Sequence, residues 1–120
     1  MQISKNKKTT KVTARNTGSA SSDSSGKSVD KLILELKRGK DEIVRSKAAA
    51  ALAYSKSENA VEPLIHALKD THVYVRHGAA WALGELKSPK AVTALKEALH
   101  DDDETTRGKA AEALAKIQGK

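Results

Sequence analysis

The chain has no cysteine. It therefore holds neither a disulfide framework nor a thiolate metal site, and a reducing cytoplasm suits it. Aromatic residues are nearly absent, with one tryptophan, two tyrosines and no phenylalanine in 120 residues. A core must then be built from leucine, isoleucine, valine and alanine. No apolar run approaches the roughly 18–20 residues that span a bilayer. The start, Met1-Gln2-Ile3-Ser4-Lys5, has no apolar segment behind its basic residue, so it does not read as a secretory signal. Nothing pairs a nucleophile with a base, and no H-x-x-x-H or comparable spacing offers a metal site. The expectation is a protein that is not an enzyme and takes no cofactor or metal.

Acidic charge is scarce at one end only. Residues 1–28 carry Lys5, Lys7, Lys8, Lys11, Arg15 and Lys27 against Asp23 alone, while the rest is close to balanced. Most of the net charge of +7 therefore belongs to the tail. Residues 1–27 are rich in Ser, Thr, Lys and Gly and too poor in apolar surface to offset their ordering entropy. They read as a disordered arm. A secondary reading gives that arm a nucleic-acid partner, held by Lys5, Lys7, Lys8, Lys11 and Arg15 in a salt-sensitive way.

What the chain does have is a period of 31. Arg45, Arg76 and Arg107 are spaced by it, as are Ala48, Ala79 and Ala110, and Leu52, Leu83 and Leu114. Val61 and Val92, Leu64 and Leu95, and Asp70 and Asp101 form a second set. A fixed period of this length marks a stacked array in which each unit buries its apolar face on the next. Such arrays usually present binding surfaces rather than catalytic pockets.

Within the period the pattern is helical. Val29, Leu32, Ile33 and Leu36 recur at i, i+3, i+4, i+7 behind a capping Ser28. Gly39 ends that helix and Asp41 caps the next. Ser88-Pro89 reads as N-cap and first helical residue, and Asp103 caps the last helix. Six short helices result, read as antiparallel pairs over about 28–55, 57–86 and 88–118, with no segment alternating as a strand would. The repeat domain is thus placed at 28–120. Leu32, Leu34 or Leu36 could be left bare at its N-terminal end and invite self-association.

Val75-Arg76-His77-Gly78-Ala79-Ala80-Trp81-Ala82-Leu83-Gly84 and its counterpart Ile43 to Leu52, with Ala60-Val61-Glu62-Pro63-Leu64-Ile65, resemble the HEAT-repeat class. The likeness is to its short repeats of the phycobilisome-lyase type and covers about residues 29–118. It implies an all-α, right-handed solenoid of three helical hairpins. The class spans bilin-attachment factors, scaffolds and proteins without assigned activity, so a protein-interaction module and an accessory role in a chromophore-lyase assembly both follow. It also implies a ladder in which an Asp in the turn and an Arg six residues on, Asp70 with Arg76 and Asp101 with Arg107, tie neighbouring repeats. Gly39 stands where the first Asp would be, which predicts looser docking at the N-terminal end. None of His66, His72, His77 and His100 makes the His-Glu pairs of iron-dependent HEAT hydroxylases. His72 reads as an exposed turn residue, and Gly26-Lys27-Ser28 is too little of a P-loop to suggest nucleotide binding.

In such arrays the second helix of each pair lines the concave face. At 100° per residue, Tyr74, His77, Gly78, Trp81 and Glu85 fall opposite the buried side of their helix. Lys47 and Tyr54 take the equivalent arc before it, and Lys109 and Glu112 the arc after it. All three aromatics lie in or beside this surface, and tryptophan and tyrosine are frequent interface anchors. The expected site is a partner-binding patch centred on Trp81. The opposing expectation is that Trp81 folds down over the neighbouring repeat.

Overall fold

The computed structural model describes residues 28–119. The expected disorder of the tail, its nucleic-acid reading and the P-loop echo at Gly26 and Lys27 lie outside the described residues. Within them the chain forms six α-helices and no strand: α1 (Val29–Arg38), α2 (Glu42–Ser55), α3 (Val61–Ala67), α4 (Val73–Leu86), α5 (Val92–Ala98) and α6 (Glu104–Gln118). Single 3-10 turns, Glu58–Ala60 and Pro89–Ala91, precede α3 and α5.

The helix starts follow from local chemistry. Ser28, Asp41 and Asp103 each accept a hydrogen bond from the backbone N–H three residues on, satisfying a donor that the helix leaves unpaired. His72 is a cap too, since its Nδ1 accepts from the Tyr74 N–H at 3.2 Å. It is therefore more than an exposed turn residue. Ser88 departs from expectation. Its hydroxyl makes no capping bond but donates to Glu58 of the preceding repeat at 3.3 Å, and the residue is buried. Lys56 and Lys87 end α2 and α4 in the left-handed region, at φ 56° and 55°.

Burial obeys the period. Leu52, Leu64, Leu83 and Leu95 are fully enclosed, as is Val75. Each buried leucine contributes roughly 1.5–3 kcal/mol relative to exposure. Thr106 stands one period after Val75 and is equally buried. It keeps the shape of valine, and its hydroxyl is satisfied by donating to Asp103 at 2.9 Å. At the N-terminal end Leu32 and Leu36 are buried and Leu34 alone is exposed, so the bare edge is one side chain and not three.

The second helices pack along their length, α2 on α4 and α4 on α6, whereas the first helices meet their neighbours over few residues. Small side chains permit this. A Cβ on Gly84 would stand 2.8 Å from the Ala113 Cα, and one on Gly78 would stand 3.3 Å from the Ala49 Cβ. The layer lined by alanine and glycine is the more closely packed one.

The ladder runs differently from the expected pairing. Arg45 donates from Nε and Nη2 to both carboxylate oxygens of Asp70, at 2.9 and 3.1 Å, and from Nη1 to the Gly39 carbonyl at 3.0 Å. Arg76 donates to the Asp70 carbonyl at 2.8 Å. Its Nε lies 3.1 Å from the Asp101 carboxylate but off the N–H axis, so that contact is ionic and the N–H itself is unpaired. Arg107 donates to the Asp101 carbonyl at 2.6 Å. Each arginine thus takes a carbonyl from its own turn, and Arg45 and Arg76 also take a carboxylate from the next repeat. Gly39 needs to supply only a carbonyl. Its missing side chain breaks no rung, because Arg45 takes its carboxylate from Asp70 of the next repeat. Among the described residues the rung without a carboxylate is that of Arg107, at the other end.

Candidate protein-binding face

The outward stripe of each second helix, part exposed and part half-buried, repeats at i, i+4, i+7, i+11. On α2 it is Ile43, Lys47, Ala50 and Tyr54; on α4 it is Tyr74, Gly78, Trp81 and Glu85; on α6 it is Thr105, Lys109, Glu112 and Lys116. The first two stripes are largely apolar and the third is polar. Four large hydrophobic residues are exposed among the described residues, and three lie here: Ile43 at 57%, Tyr54 at 75% and Tyr74 at 61%.

Trp81 does something between the two expectations. It is half-buried and packs against the core, so the core does use one aromatic. Its ring also meets Tyr54 of the preceding repeat edge to face, with centroids 5.6 Å apart at 63°. Such pairs are worth about 0.5–1.5 kcal/mol beyond the area they bury. The contact holds Tyr54 in place while leaving most of that ring in water.

His77 and Glu85 are tied to the third repeat. His77 Nε2 lies 2.6 Å from the Asp103 carboxylate. The His77 hydrogen bond, helped by the Thr106 N–H and hydroxyl, lowers the Asp103 pKa to about 2. Lys116 hydrogen-bonds Glu85 and holds its carboxyl below the ordinary range. Tyr74 sits between two imidazoles, 5.1 Å from His72 and 6.0 Å from His77. Lys47 and Glu112 are exposed and Lys109 is half-buried.

The face therefore brings Tyr54 and Trp81 together at the C-terminal end of its helices and Tyr74 and His77 together at the other. Period-31 reasoning did not find His77–Asp103 or Tyr54–Trp81. A signal existed for the first, because Arg76 reaches Asp101 by nearly the same forward offset that takes His77 to Asp103. Two indentations, of about 290 and 350 Å³, lie along the turn edge near Asp70 and include none of the aromatics. Among the described residues no three of His, Cys, Asp and Glu converge as a metal site, and no helix is long and apolar enough to cross a membrane.

Comparison with known proteins places this architecture. Human deoxyhypusine hydroxylase, solved with glycerol, superposes with a TM-score of 0.70 at 26% identity, over 77% of this chain and 32% of that one. A phycocyanin lyase complex from Nostoc matches with a TM-score of 0.49 at 22% identity, over 77% of this chain and 53% of that one. The chain thus spans about a third and about half of those proteins. Among curated proteins none matches. The profile of HEAT repeats matches residues 29–115, which takes in all three helical pairs, and the chain belongs to the HEAT-repeat family.

Proposed function

We propose that the protein is a non-enzymatic interaction module that engages a protein partner through the exposed face of α2, α4 and α6. The observation that supports this reading is the gathering of Ile43, Tyr54 and Tyr74 on one face, all largely exposed, with the half-buried Trp81 against Tyr54. Exposed aromatic side chains lose little by ordering and bury much area, so they are effective anchors. Lys47, Lys109 and Glu112 supply charge around them.

The test is capture of partners from host extract by the wild type, Tyr54→Ala, Trp81→Ala and a chain lacking residues 1–27, with and without nuclease. Tyr54 is the cleaner probe, since it is mostly exposed and its removal leaves the core intact. Tyr54→Ala loses a protein partner that the tail deletion retains. If the tail deletion alone abolishes capture, and nuclease does the same, the nucleic-acid reading through Lys5, Lys7, Lys8, Lys11 and Arg15 replaces this one. An accessory role beside a chromophore lyase would be a special case of partner binding, and it rests on family likeness alone.

A further inference from the structure

The two ends of the face differ in charge. At the N-terminal ends of the second helices lie Asp41, Glu42 and the run Asp101 to Glu104. At the C-terminal ends lie Lys56, Lys87 and Lys116, on three successive repeats. The Tyr54–Trp81 pair is at this second end. Lys56 follows Tyr54 by two residues, Lys87 follows Glu85 by two, and Lys116 is bound to Glu85. The downward pull of Lys116, Lys56 and Lys87 on Glu85 agrees with their clustering. Acidic groups nearby are Glu85, already neutralised by Lys116, Glu112 on α6, and Glu58, which accepts from Ser88 at the joint between repeats. Lys56 and Lys87 are exposed, and neither forms a close ion pair among the described residues.

We propose that the Tyr54–Trp81 end of the face binds an acidic peptide segment, a short stretch of a partner protein with an apolar or aromatic anchor flanked by carboxylates. The anchor lies on the Tyr54 and Trp81 rings, and the carboxylates meet Lys56 and Lys87. This names the partner class for the face and rests on that reading. A nucleic acid fits less well. Its backbone carries charge at every step and would run from the lysines into Glu112 and then the acidic edge at Asp101 to Glu104. A peptide with one or two local carboxylates meets the lysines and stops.

Trp81 is the chain's single tryptophan, so its emission reports on this site without labelling. Three probes are titrated: a blocked octapeptide of aspartate and glutamate around a central leucine-phenylalanine pair, the same peptide with lysine at each acidic position, and a short single-stranded oligothymidylate. The acidic peptide changes Trp81 emission saturably and the other two do not. Lys56→Asn with Lys87→Asn weakens the acidic peptide about tenfold or more, as does Tyr54→Ala. Asparagine tolerates the left-handed conformation at both positions, so the double variant folds while losing the charge. A melting temperature no lower than that of the wild type confirms this.

Equal binding of the lysine peptide, binding of the oligonucleotide alone, or unchanged affinity in the double variant overturns the proposal. If no probe binds while Tyr54→Ala still abolishes partner capture, the acidic class is wrong and the face stands. If Tyr54→Ala also leaves capture intact, both fall.

Discussion

The inter-repeat ladder makes a prediction on which sequence and structure divide. Asp70 is six residues before Arg76, the pairing expected from the family, but its carboxylate is held by Arg45 of the preceding repeat. Of Asp70, Arg76 touches only the carbonyl, which an alanine would keep. The two side chains of the Arg45–Asp70 pair are 18% and 15% exposed. Removing one partner of a fully buried pair costs about 3–5 kcal/mol, and the residual solvent contact here reduces that to about 2–3. Asp70→Ala also strips an acceptor from the His72 N–H, which lies 2.9 Å from the carboxylate. Part of its cost is therefore unrelated to Arg45, and a double-mutant cycle is needed to isolate the pair. The cycle of Asp70→Ala with Arg45→Ala gives a coupling of about 1–3 kcal/mol, as expected for charge-assisted bidentate bonds. The cycle with Arg76→Ala gives less than about 0.5 kcal/mol. Urea unfolding followed by circular dichroism measures both. For a domain this size the single change lowers the melting temperature by about 10 °C or more. Coupling that appears in the Asp70–Arg76 cycle and vanishes in the Arg45–Asp70 cycle refutes the ladder described here.

Other expectations follow from packing, strain and charge. Leu83→Ala, in the middle of the array, destabilises by about 2–5 kcal/mol in urea unfolding, and a cost under about 1 contradicts its burial. Gly84→Ala gains helix propensity yet destabilises by about 1–2 kcal/mol because the new methyl meets the α6 backbone; a raised melting temperature would show that the helices are farther apart. Lys56→Asn relieves a left-handed lysine and stabilises by about 0.5–1 kcal/mol, read as a higher denaturation midpoint. The Asp103 carboxyl is lowered in the fold from 3.8 to about 2, so the unfolded chain binds the proton first. Its contribution is full above the ordinary value and is lost as pH falls from about 4 toward 2. His77→Ala flattens that stretch of the stability–pH curve, and an unchanged slope would remove His77 as the cause.

Much of this fold is legible in the sequence because the period is strict. Equivalent residues such as Leu52, Leu83 and Leu114 announce shared environments, and Ser28, Asp41 and Asp103 mark helix starts by chemistry that acts within one turn. The period also explains what stayed hidden. A residue six before one arginine is necessarily twenty-five after the previous one, so spacing alone cannot say which arginine Asp70 serves. Helix geometry placed Tyr54, Tyr74 and Trp81 on one surface, but how far Trp81 sinks depends on the gap between neighbouring second helices. That gap is set by interhelical distance, which no local pattern encodes. Ser88 shows the same limit, since the cap rule is local and Glu58 competes for its hydroxyl from the preceding repeat.

The central claim is that the second-helix face meets the partner. Photo-crosslinking from single positions in the full chain tests it most directly, with benzophenone side chains replacing Tyr54 or Tyr74 on that face, or Glu62 or Thr93 on the exposed side of the first helices. The account predicts specific partner adducts from positions 54 and 74 and none from 62 and 93. Adducts from 62 and 93, with positions 54 and 74 silent, would contradict it.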